Sequence, residues 1–102
     1  MNVYRGNRNG QVTINGVALD PRLDIANHSP TGFAWGYAGS GPAQLALAIL
    51  VHEYGEDLST HPCHYQEFKR EVITGLDPEF ALNSHEIRRW MRKHSRMCED
   101  TV

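Results

Sequence analysis

The spacing of apolar residues changes near position 40. Before it, apolar side chains come in short runs. Val3-Tyr4-Arg5 is stopped by Gly6, and Gln11-Val12-Thr13-Ile14 alternates polar and apolar at period two, the signature of a half-buried strand. Asn15-Gly16 follows, a two-residue hairpin signal because both positions accept positive φ. Val17-Ala18-Leu19 then predicts the return strand. Asp20-Pro21 breaks the alternation, and residues 20–33, with two prolines, predict a long irregular segment of the kind that often carries function.

Beyond position 40 the spacing predicts three helices. The first runs from about Pro42 to Tyr54, with Ser40 or Gly41 as cap and proline at the favoured first position. Leu45 to Val51 is apolar nearly all round, which places this helix centrally and buries it, and Gly55 stops it. The second runs from about Pro62 to Thr74, preceded by Thr60 or His61 as cap, with Tyr65, Phe68, Val72 and Leu76 as its stripe. The third runs from about Ser84 to Met97, where Asn83 and Glu86 fit a reciprocal cap. Ile87, Trp90, Met91 and His94 share one face of it. Arg88, Arg89, Arg92, Lys93 and Arg96 share another. The predicted fold is α+β: a small N-terminal antiparallel sheet packed on three helices, the central one buried. One domain of 102 residues is expected, with a strand-and-loop part over 1–40, a helical part over 41–98 and a frayed tail over 99–102.

Charge narrows the partners. A net charge of −2 speaks against general affinity for nucleic acid or an anionic membrane. The distribution is uneven: residues 41–83 carry two basic and seven acidic side chains, residues 84–102 five and three. The acidic middle and basic end are suited to attract each other or to meet different partners. Cys63 and Cys98 make no disulfide framework, no signal-peptide pattern opens the chain, and a reducing cytosol is the expected setting. The longest apolar stretch, Ala43 to Val51, is too short to span a bilayer.

The densest candidate for chemistry is Gly32-Phe33-Ala34-Trp35-Gly36-Tyr37-Ala38-Gly39-Ser40-Gly41-Pro42-Ala43-Gln44-Leu45. A glycine-rich turn leading into a helix offers backbone N–H groups and a positive helix end to an anion. Gly39, Ser40, Gly41 and Gln44 would hold a phosphate, Trp35 or Tyr37 would stack on a base, and Arg5, Arg8 or Arg22 would add charge. The same glycines equally suit close packing with Trp35 in the core. No Gly-Lys-Ser/Thr follows, so this is not a P-loop. His52, His61, Cys63 and His64 are zinc-type ligands, but the spacing is not that of a finger, and no metal or other cofactor is expected. Asp20, Asp24, His28 and Ser29 share the long loop without a nucleophile elbow, so a hydrolase is a minor alternative.

The order Tyr4-Arg5-Gly6, Val12-x-Ile14-Asn15-Gly16-x-x-Leu19-Asp20-Pro21-Arg22-Leu23-Asp24 and Asn27-His28-Ser29-Pro30-Thr31-Gly32-Phe33-x-Trp35-Gly36-Tyr37-x-Gly39-Ser40-Gly41-Pro42-Ala43-Gln44-Leu45-Ala46 resembles a family of small bacterial and phage proteins, domain of unknown function 6166. Tyr65-Gln66-x-Phe68-Lys69-x-x-Val72-Ile73 fits the same pattern. The likeness covers roughly residues 3–76 and leaves the arginine-rich last helix and the His61, Cys63 and His64 cluster as departures or additions, so it lends zinc no support. The family brings no established activity. Its habitat implies a cytosolic accessory protein that antagonises a bacterial defence by binding rather than turnover. The sharpest form of that expectation is sequestration of a phosphorylated nucleotide signal on the Gly39–Gln44 turn, closed by Arg22 and His28. The alternative is an anti-CRISPR-like inhibitor that grips a host defence protein through Arg88, Arg89, Arg92, Lys93 and Arg96. Direct nucleic-acid binding is not expected, and a homodimer is left open.

Overall fold

The computed structural model describes residues 1–56 and 62–100, with the side chains of all of these except 62, 63 and 95–100. Four strands form one antiparallel sheet: β1 (Val3–Gly6), β2 (Val12–Ile14), β3 (Val17–Ala18) and β4 (Phe80–Asn83), in the order β3-β2-β1-β4. Three helices, α1 (Ser40–Tyr54), α2 (Pro62–Glu71) and α3 (Ser84–Asp100), complete an α+β fold, with a 3-10 turn at Ile73–Gly75 after α2. No described helix is long and apolar enough to cross a membrane.

The β2–β3 turn is the one its sequence demands. Asn15 and Gly16 both take positive φ, 51° and 84°, the twist that matches a tight hairpin. Side chains then alternate across the sheet. Tyr4 sits between Ile14 and Leu82, and Gly6 between Val12 and Phe80, with all six buried. These inward residues join α1, α2 and α3 in one core that includes Leu45, Ile49, Phe68, Ile73, Ile87 and Met91. Helix α1 is buried from Gly41 to Val51, as an all-round apolar helix must be.

Three boundaries differ from the sequence expectation. Helix α1 starts at Ser40, with Gly39 as its cap. Helix α2 ends at Glu71 and tightens into the 3-10 turn. The expected helical part, 41–98, contains a strand: Phe80 and Leu82 point inward and Ala81 outward, and β4 pairs with β1 along four positions. Helix α3 continues through Asp100. Thr60 and His61, expected to cap α2, and the last two residues of the expected frayed tail lie outside the described residues.

Asn83 and Glu86 form the expected reciprocal cap of α3. The Glu86 N–H donates to Asn83 Oδ1 at 3.0 Å, and the Asn83 N–H donates to Glu86 Oε1 at 3.2 Å.

Candidate functional site

One side chain pairs four backbone groups of the long loop. Gln44, wholly buried on α1, accepts the N–H groups of His28 and Ser29 and donates to the carbonyls of Pro21 and Ala26. An irregular segment carries backbone groups that regular structure would otherwise pair, and here a single amide satisfies four of them. Downstream, Gly36 at φ 85° donates its N–H to the Ile73 carbonyl, which docks the loop on the 3-10 turn.

Between these anchors Phe33 and Trp35 are half-buried. The Trp35 ring meets Phe80 edge-on with centroids 5.0 Å apart, and its Nε1 donates to the Asp77 carbonyl at 2.9 Å. A Cβ at position 6 would overlap both rings, so Gly6 makes the room that Trp35 occupies. Trp35 is thus partly core and partly surface. Its surface side belongs to a groove of about 440 Å³ that also includes Phe33, Leu76 and Pro78, with Asn7 and Arg8 from the β1–β2 turn at its edge. Arg8 pairs with Glu79 at 3.2 Å, and both side chains are largely exposed. An ion pair in water contributes little and gives way readily to a stronger anion.

The other expected ligand-binding residues are placed as follows. Gly39 caps α1 with an extended backbone and no side-chain cap. Tyr37 is 55% exposed and lies against Gly39, where a Cβ would come 2.9 Å from its ring. Ser40 is exposed. Gly41 is buried against Ala34, whose methyl lies 2.7 Å from where a Cβ would stand. Arg22, at φ 55°, donates to both oxygens of Asp24 and to Glu56. His28 Nε2 lies 3.0 Å from the Tyr65 hydroxyl. The structure therefore brings Gln44 to the His28 backbone and Tyr37 to Gly39. It engages Gln44, Gly41, Arg22 and His28 with other parts of the chain, and it puts Trp35 with Phe33 and Arg8.

The alternatives fare differently. Hydrogen bonds from Arg22 hold the Asp24 carboxyl below the usual range, against a smaller opposing effect of desolvation. Asp24 bonds to Arg22 and His28 to Tyr65, and among the described residues no hydrogen bond joins Asp24 to His28. His52 reaches toward Tyr4, whereas His64 packs edge-on against His94 with centroids 5.3 Å apart. The described residues contain no group of three potential metal ligands. His61 and the Cys63 side chain lie outside them. On α3, Arg88 donates to Glu53 Oε2 at 3.2 Å and lies over the Tyr54 ring. Arg89, Arg92 and Lys93 are exposed, and among the described residues none of them forms an ion pair. The Arg96 side chain is outside the described set.

One polar cluster has no counterpart in the sequence reading. The Glu53 side chain is 1% exposed and receives hydrogen bonds from Asn2 Nδ2 (3.0 Å), the Tyr4 hydroxyl (2.9 Å), Ser84 Oγ (2.7 Å) and Arg88. Burial alone would raise its pKa. The hydrogen bonds of Ser84, Asn2 and Tyr4 and the charge of Arg88 outweigh burial and hold it below the ordinary carboxylate range. Burial, and then Glu53 itself, push the Tyr4 hydroxyl well above its ordinary value. Glu53 ties α1 to β1 and to the start of α3. Its partners are scattered along the sequence, so no local motif announces it.

The chain belongs to a family: the sequence model described as a family of unknown function, DUF6166, matches residues 4–93. The match extends through Lys93, so most of the arginine-bearing helix lies within the family's span rather than being an addition to it. No curated protein and no solved structure matches the chain.

Proposed function

We propose that this chain is a binding protein for a phosphorylated nucleotide, held in the groove of Phe33, Trp35, Leu76 and Pro78. The observation that carries this reading is the pairing of two half-buried aromatic rings with Arg8, whose existing partner is exposed. A flat base fits aromatic and proline surfaces, and a guanidinium at the rim suits a phosphate. On this reading the anion lies nearer Arg8 than the Gly39–Gln44 turn, which is supported by the packing of Gly41 and Gln44 against Ala34 and the long loop. Antagonism of a bacterial defence is the setting we attach to this binding. It rests on the habitat that the family resemblance implies.

A thermal-shift screen against linear and cyclic nucleotides tests the reading. A ligand at one hundred times its Kd adds about 2.7 kcal/mol of stability by mass action. The shift should appear with at least one phosphorylated nucleotide and be lost in Arg8→Glu, which touches only an exposed side chain. An unchanged shift in that variant would overturn the groove assignment.

The exposed Arg89, Arg92 and Lys93 favour a second reading, a surface for an acidic protein partner. Under that reading Arg89→Glu with Arg92→Glu abolishes inhibition of the partner while Arg8→Glu leaves it intact.

A further inference from the structure

Two steps of this chain pair an asparagine with a following glycine, Asn9-Gly10 and Asn15-Gly16. Each carries the same latent reaction. The backbone N of the glycine attacks the asparagine Cγ, an approach that no Cβ on the glycine obstructs. An N–Cγ bond closes a five-membered imide, the Cγ–Nδ2 bond breaks, and ammonia leaves with the proton of the glycine amide. Water then reopens the ring at either carbonyl and gives an aspartyl or an isoaspartyl residue.

The structure separates the two steps. Asn15 is held at both ends of its side-chain amide: Oδ1 accepts the Val3 N–H at 2.9 Å, and Nδ2 donates to Asn2 Oδ1 at 3.0 Å. Its backbone N–H donates to the Val3 carbonyl at 2.9 Å. Swinging Cγ onto the Gly16 N breaks both side-chain bonds, one of which fastens the start of β1 to the hairpin.

Asn9 is placed differently. It is exposed, its backbone N–H donates to Asn7 Oδ1, and among the described residues its side-chain amide forms no hydrogen bond. Its Cγ is free to turn. The Gly10 N–H donates to the Asn7 carbonyl at 3.0 Å, a bond within a surface turn, where local opening costs least.

We propose that Asn9 is a site of spontaneous deamidation in the folded protein, that Asn15 is protected from it, and that the reaction sets a carboxylate at the rim of the Phe33–Trp35 groove. Arg8 and Gly10, on either side of Asn9, both line that groove. A carboxylate between them is ionised at neutral pH and repels a phosphate. The isoaspartyl product also lengthens the backbone inside a turn closed by the Asn7 N–H on the Gln11 carbonyl, at 3.0 Å, and the Gln11 N–H on Asn7 Oδ1, at 3.1 Å. The effect on the groove, unlike the reaction, rests on the nucleotide reading.

Peptide mapping by mass spectrometry, on protein held warm at mildly alkaline pH, tests the reaction. Asn9 should convert at least about tenfold faster than Asn15, and in concentrated urea the two rates should approach each other. Equal rates in the folded protein, or faster conversion of Asn15, would overturn the proposal. So would a gap that persists unchanged in urea, since the flanking sequence rather than the fold would then separate the two. Asn9→Asp supplies one product directly and should weaken the nucleotide thermal shift as Arg8→Glu does. A shift lost in Arg8→Glu but kept in Asn9→Asp would overturn the effect on the groove. A shift kept in both would overturn the groove assignment itself and leave the mapping result standing.

Discussion

Gln44 Oε1 accepts the backbone N–H of His28 at 2.8 Å, across sixteen positions of chain. The same amide serves Ser29, Pro21 and Ala26, so four backbone groups of the 20–33 loop depend on one residue of the central helix. Gln44→Ala should cost about 3 kcal/mol, since it leaves buried backbone groups without partners. Urea unfolding reads the loss, and amide exchange at His28 and Ser29 should accelerate beyond it. Ordinary exchange at both amides would show that Gln44 does not protect them.

Gly41 is required by its contact with Ala34. Gly41→Ala should destabilise the fold by about 1–3 kcal/mol, because the added methyl has nowhere to go. Ala34→Gly in the same chain should recover part of the loss, although the Ala34 backbone N lies only 3.1 Å from the new carbon. If the double variant is no more stable than Gly41→Ala alone, the contact is not the cause. A Gly41 variant is therefore a poor probe of ligand binding.

Much of the fold could be read from local signals. Asn15-Gly16 specified its turn, the all-round apolar run gave a buried α1, and Asn83 with Glu86 set the start of α3. Strand β4 was hidden because it is four residues long and lies between two helices. Its trace in sequence was the alternation of Phe80 and Leu82 after the break at Asp77-Pro78. The candidate site was legible in part: Trp35 and Arg8 stood among the suggested residues, whereas Leu76 and Pro78 reach the groove from far along the chain. Nothing local shows that Gln44 serves a loop rather than a ligand, or that Glu53 gathers Asn2, Tyr4, Ser84 and Arg88.

The Glu53 cluster predicts a pH dependence. Its folded pKa is lowered, so its stabilisation is complete above the unfolded value of about 4.3 and is lost as pH falls through the lower folded value. Wild type should therefore exceed Glu53→Gln in stability at pH 7, and the gap should narrow below about pH 4. Urea midpoints from pH 7 to 3 check this. A gap that stays constant to pH 3 would mean that the charge of Glu53 plays no part.

Asn83→Ala should cost about 1 kcal/mol by removing the side-chain half of the α3 cap. Thermal melts suffice to detect it. Since β4 ends at the same residue, a loss several times larger would point to damage in the sheet as well.

The groove reading is tested most directly through the two tryptophan indole resonances. Trp35 lines the groove, while Trp90 lies on α3 with its Nε1 donating to Glu71 at 2.9 Å and serves as an internal control. Titration with the nucleotide giving the largest thermal shift should move the Trp35 indole signal saturably and leave that of Trp90 in place. A nucleotide that binds while moving Trp90 alone, or neither indole, would contradict the assignment of the Phe33–Trp35 groove as its site.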